Sequence, residues 1–257
     1  DVLMSDAWGW WKMTPELTLS GGYTGTLARV NFGIDGSCTC FVTNTAPSRL
    51  NPGDRTQVRL SYASGPVSFG VALEDASFSD PALGANLPSD TLGFSSEVRW
   101  KGEGYSVEVS GGYWDGGNGR RDAYQIGLGG KLDMNDFLSL SAAAGVGRAS
   151  TVTSAPANDY WRTSMLATAK LSDSVSAEIG YGYAENDQSS FSSFAYSGTT
   201  GSHFDAKVHS VIAGIYYEPV TQLTLGLEGE WQKWNSDGNA AGTVNKDLEV
   251  VSVGLVS

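Results

Sequence analysis

The side chains with the most chemical potential in this chain are charges at alternate positions. Arg59, Arg99 and Lys101 stand on the polar parity of their segments, and Arg29 stands ahead of a long connection, Gly33 to Asp54. That connection offers Asp35 and Asp54, and Glu74 and Glu97 add acids on the polar parity. A basic wall facing an acidic loop creates a transverse field, which orients dipolar solutes and disfavours apolar ones. One such charge alone says little, since any water-facing position tolerates it. The set acts together only if the fold gathers it.

Catalysis finds fewer materials. The histidines are His203 and His209, and no G-x-S-x-G elbow accompanies them. Gly127-Leu128-Gly129-Gly130 opens no helix and reads as glycine spacing within a strand. The two cysteines, Cys38 and Cys40, are separated by Thr39 alone, and the two histidines lie far along the chain at His203 and His209, so no zinc centre is expected. A strained disulfide across one residue is the favoured reading in an oxidising compartment, and two free thiols are the alternative. No metal, cofactor or enzymatic activity is expected.

The elements that position these charges show in the alternation. Thirteen segments carry period-2 patterning. Leu92, Phe94, Val98 and Trp100 oppose Ser95, Glu97, Arg99 and Lys101. Val175, Ala177, Ile179, Tyr181 and Tyr183 oppose Ser176, Glu178, Gly180 and Gly182. Leu223, Leu225, Leu227 and Trp231 oppose Thr224, Gly226, Glu228 and Glu230.

Connections alternate strictly between short and long. Thr14 to Glu16, Gly65-Pro66, Gly102 to Gly104, Asp133 to Asp136, Asp173-Ser174 and Glu218 to Thr221 are short. Gly33 to Asp54, Phe78 to Asp90, Asp115 to Arg120, Ala149 to Asn158, Glu185 to Ser202 and Asn235 to Asn245 are long. A transmembrane barrel sorts its connections by end in this way, while a soluble sandwich has no reason to. The expected fold is therefore all-β, a transmembrane antiparallel β-barrel in a single domain, 1–257. Its apolar parity would meet lipid and its polar parity the lumen. Inward glycines would leave the lumen wet. Glu108, Glu178, Glu228 and Glu230 would be solvated there, and Trp8, Trp10, Trp11, Trp100, Trp114, Trp231, Trp234, Tyr216 and Tyr217 would form interfacial girdles.

Totals agree. Charged residues make up 17% of the 257, and 28 acids against 16 bases give a net charge of −12. That balance argues against nucleic acid as a partner. No run approaches the roughly 18 apolar residues of a spanning helix.

The stretch Trp8 to Tyr23, the loop Gly36 to Phe41 and the run Asn51 to Ala76 resemble the alphaproteobacterial, rhizobial-type general porin family, as does the close, Leu223 to Ser257. The resemblance implies a sixteen-stranded homotrimeric barrel, of which about thirteen strands are represented here. It implies a bacterial outer-membrane location amid lipid and lipopolysaccharide, and passive diffusion of small hydrophilic solutes and ions. It also implies that Gly33 to Asp54 folds inward as a constriction loop. The family's first strands and its terminal aromatic residue would lie beyond this chain. A structural or adhesive surface barrel with a plugged lumen is the alternative reading.

Overall fold

Turn chemistry sets the short ends of the sheet. The Thr14 hydroxyl accepts the Leu17 N–H at 3.0 Å, and the Asn135 side-chain carbonyl accepts those of Phe137 and Leu138 at 2.9 and 2.8 Å. Such side chains close a reversal by imitating a backbone turn. At Gly65-Pro66 the glycine takes φ 56°, a left-handed conformation suited to the first position of a two-residue hairpin. Pro219 lies where the ladder slips, between Tyr217 and Val220, and a residue without an N–H is tolerated there.

The computed structural model describes residues 7–36, 48–76, 78–80, 85–87, 91–117, 121–149, 158–190, 203–220, 223–237 and 248–256. Its strands are β1 (Ala7–Lys12), β2 (Leu17–Gly25), β3 (Asp54–Ser64), β4 (Val67–Asp75), β5 (Phe78–Asp80), β6 (Ala85–Leu87), β7 (Leu92–Gly102) and β8 (Tyr105–Trp114). They continue with β9 (Ala123–Asp133), β10 (Leu138–Ala149), β11 (Asn158–Lys170), β12 (Val175–Ser190), β13 (His203–Val220), β14 (Leu223–Asp237) and β15 (Leu248–Val256). Thirteen of them form one antiparallel meander, in chain order, from β1 to β15. β5 and β6 make a separate hairpin within the long connection between β4 and β7. Among the described residues no ladder joins β1 to β15, so both are edges.

Parity assigns the two faces. Leu92, Phe94, Val98, Val109, Leu128, Ile179 and Leu227 are exposed on the outer face. Glu108, Ser110, Gln125, Ser164, Glu228 and Glu230 are buried on the inner one. A hydrophobic exterior around a polar interior suits a lipid-facing wall.

What fills the interior differs from the expectation of a wet wall. The first stretch of the long connection, 26–36, and its return, 48–53, pack on the inner face. Val30, Phe32, Leu50 and Ala143 form one buried cluster, Ile34, Leu166 and Ile212 a second, and Ala28, Ala76, Trp114 and Ala123 a third. The core of this molecule is thus the contact between loop and wall. Ala28, Val30, Phe32 and Ile34 alternate like a strand, which is why the sequence places the start of the loop at Gly33 rather than after Gly25.

Three further expectations change. Glu108, Glu228 and Glu230 are buried rather than solvated. The inward glycines give the loop its seat. A Cβ on Gly129 would stand 2.6 Å from Val30 and 2.8 Å from Phe32, one on Gly145 would stand 2.8 Å from Leu50, and one on Gly127 would collide with Val30. The aromatic set also divides. Trp11, Trp100 and Tyr217 are exposed and outward, whereas Trp114 and Tyr216 are buried inside and Trp8 lies beneath Arg59. Trp10 pairs with the inward Ser20 and so shares the inner parity.

Candidate functional site

The loop crosses the wall stepwise, one strand at a time. Leu27 lies over Gly70 of β4, and the Ala28 carbonyl accepts from Ser110 on β8 at 3.2 Å and from Gln125 on β9 at 2.6 Å. The Asn31 N–H donates to Glu108 at 3.4 Å, that of Gly33 to Ser141 at 2.7 Å and that of Ile34 to Ser164 at 3.1 Å. Ser48, on the return, occupies the space in front of Gly182 on β12. Loop N–H groups that would otherwise lack a partner are satisfied by hydroxyls and a carboxylate of the wall.

The sequence candidates fall into two groups on this frame. Glu74 belongs to the first and is 1% exposed, not a free lumen charge. Its carboxylate accepts from Thr26 at 2.7 Å, from the Trp114 indole N–H at 2.7 Å and from Ser95, and Arg55 stands 3.8 Å away. It therefore ties the beginning of the loop to β4, β7 and β8. Asp35 is likewise an internal brace, since one oxygen takes Arg49 at 2.5 Å and the other the Leu50 N–H at 2.8 Å. Its side chain is 3% exposed and is not presented to the lumen. Asp54 is not in the loop but opens β3, exposed. Lys101 sits beside the short turn at the far end of β7, away from the loop.

Arg59, Glu97, Arg99 and Arg29 form the second group. Arg59 donates to the Gly25 carbonyl at 2.7 Å and to Gln57 at 2.9 Å, and stacks over Trp8 at 5.1 Å. Arg99 pairs with Glu108 and reaches Glu97 at 3.4 Å. Its side chain is about one-third exposed, so it keeps a face toward the lumen. Arg59 and Glu97 lie within one another's field. Arg29 projects from the loop itself, and its Nε has no hydrogen-bond partner among the described residues. Arg59 on β3 and Glu97 and Arg99 on β7 share the inner face of one sheet, and Arg29 stands on the loop; all four are partly exposed. Cys38 and Cys40 lie outside the described residues.

Sequence reasoning missed the wall residues that hold the loop: Glu108 as an acceptor, Ser141, Ser164, Gln125 and Arg162. The Arg162 guanidinium donates to the Arg49 carbonyl at 2.6 Å and covers the Tyr160 ring at 4.3 Å. One available signal was the coincidence of inward glycines with an alternating apolar loop.

The fold has counterparts among solved structures. The outer-membrane channel DcaP of Acinetobacter baumannii superposes with a TM-score of 0.65 at 14% identity, over 99% of this chain and 80% of its own. OmpT of Vibrio cholerae, an outer-membrane protein, gives 0.62 at 15%, over 94% and 76%. The fold is that of an outer-membrane β-barrel. The anion-selective porin of Comamonas acidovorans gives 0.53 at 12%, over 96% of this chain and 86% of its own. No protein-family model and no curated protein matches the sequence.

Proposed function

We propose that this chain forms most of a bacterial outer-membrane porin, a water-filled channel for passive diffusion of small hydrophilic solutes and ions, without enzymatic activity. The observation that carries this reading is the long connection after β2, whose described parts, 26–36 and 48–53, lie along the inner face of the wall and leave Arg59, Glu97, Arg99 and Arg29 partly exposed. A loop held against one side narrows a barrel without closing it. Fixed charges of both signs at that level favour solutes that can exchange hydration for polar contacts. The resemblance to alphaproteobacterial porins supports a sixteen-stranded homotrimer as the complete assembly, and lipopolysaccharide and phospholipid as its surroundings. Cys38 and Cys40 are read as a disulfide at the loop's tip.

Planar-bilayer recording of the full-length protein tests the reading. Stepwise, ohmic conductance that scales with the bulk conductivity of the bathing salt is expected. Membranes that gain folded protein and no conductance would point instead to a plugged surface barrel.

A further inference from the structure

The outer face carries a feature that a uniform lipid-facing wall does not need. Ladder pairing across β11, β12 and β13 sets Trp161 beside Glu185 and Lys207, and Thr163 beside Tyr183 and His209. In these two rows the Trp161 and Tyr183 rings meet at a tilt of 44° with centroids 4.8 Å apart, and His209 meets Tyr183 edge-on at 4.9 Å. Glu185 accepts the Trp161 indole N–H at 2.8 Å and the Tyr183 hydroxyl at 3.1 Å, and Lys207 stands 3.6 Å away. Tyr181 shares a hydrogen bond of 2.7 Å with His209 Nδ1. Lys233 flanks His209 in the ladder, with Glu249 at the next register position. Tyr183 is roughly 20 Å up the barrel axis from the start of β12 at the usual rise and tilt, the outer margin of an apolar band about 25 Å tall.

The next two rows inward are apolar: Met165, Tyr181 and Val211, then Ala167, Ile179 and Ala213. There the wall is indented. A groove of about 1020 Å³ runs from Tyr181 and Thr163 across Ala142, Ala144 and Gly130 toward Tyr105. The small outward side chains of β9 and β10 make its floor, while Leu128, Leu140 and Met165 make its sides. Polar platform and apolar groove share Thr163 and Tyr181, so they are one continuous surface.

We propose that this surface is a fixed site for one phosphorylated glycolipid of the outer leaflet. The inference rests on the outer-membrane placement given above. Aromatic faces backed by a carboxylate suit the C–H faces and hydroxyls of a sugar, as the same side chains do at other amphipathic interfaces. Lys207 and Lys233 supply cationic donors for a phosphate, with Glu185 beside them for the sugar hydroxyls. The groove takes an acyl chain out of the disordered bilayer and against protein. A phospholipid offers phosphate and chain but no sugar for the platform, and this distinguishes the two lipids.

Native mass spectrometry of the full-length protein in detergent, titrated with diphosphoryl lipid A or with phosphatidylglycerol, tests this. The parent protein should retain one lipid A roughly ten-fold more tightly than phosphatidylglycerol, the scale of one or two charge-assisted bonds. The pair Trp161→Ala with Lys207→Gln, and separately Ala142→Phe in the groove floor, should each abolish most of that preference. Conductance should stay at the parent value in both, since every altered side chain points away from the lumen. Equal retention of the two lipids by the parent overturns the proposal, whatever the variants do. An intact preference in both variants overturns it as well. A clear lipid preference in a protein that never conducts would refute the channel reading while leaving this site standing.

Discussion

At Glu74 three hydrogen-bond donors and one guanidinium converge on a single buried carboxylate. Removing the carboxylate strands the Trp114 N–H and takes from Arg55 one of its acidic neighbours, and breaking a buried pair of this kind costs about 3–5 kcal/mol. Glu74→Ala should therefore lower thermal or denaturant stability by an amount in that range, and Glu74→Gln by less. Glu97 has the same type and parity and a different role, because it is less deeply covered, its side chain keeping 17% exposure against none for Glu74. Glu97→Gln should lower cation over anion permeability, and Arg59→Ser should raise it. Both shifts should fade toward 1 M salt, where the screening length is about 3 Å. Reversal potentials across a salt gradient read the two signs directly, and shifts of the same sign would place these residues away from the conducting path. Sequence alone could not separate Glu74 from Glu97. Both sit on the polar parity, and only the path of the loop across the wall buries one of them.

Among the elements, the strands were legible because their information is local. Parity needs only neighbouring residues, and turns such as Asn135 and Gly65 announce themselves in a few positions. The loop was harder. Its apolar residues alternate as a strand's do, and their partners are absences, namely inward positions without a Cβ. The glycines read as spacing for water become meaningful only when Val30 and Phe32 are set against them. A direct test follows from that packing. A side chain at Gly127 occupies the place of Val30, so Gly127→Leu should lift the loop from β9 while the ladder persists. Single-channel conductance should then rise, and protease should cut within 26–53 faster than in the parent. An unchanged conductance together with an unchanged cleavage rate would show that the loop takes its position from elsewhere.

At the scale of the whole molecule, two faces of one sheet serve two solvents. Val98 is 53% exposed on the outer parity, one residue from the inward Glu97, and lies a few residues above the short turn of β7. Val98→Arg should cost about 2–4 kcal/mol in a bilayer, whereas Glu97→Gln should fold as the parent does. Folding yields in lipid vesicles compare them, and equal yields would mean that the faces are assigned the wrong way round. The distribution of aromatics obeys the same division only in part. Trp100 and Tyr217 belong to the lipid boundary, while Trp114 and Tyr216 serve the interior, a distinction that parity makes once the ladder register is known.

The seat of the loop has a consequence in time. Ile34 meets Ser164 across 130 positions of sequence, and Arg49 meets Arg162 across 113. Contacts so distant in the chain form after nearer ones, because the intervening segment must first be ordered. β10, β11 and β12 must therefore be in place before the loop has anywhere to rest. On the proposed porin reading, a chain that has paired its strands without docking the loop leaves, for that interval, a wider opening than the finished protein. Vesicles that fold this protein in the presence of graded dextrans should leak larger molecules early and only small ones later. Retention of the same size limit at all times would mean that the loop docks as the wall is built.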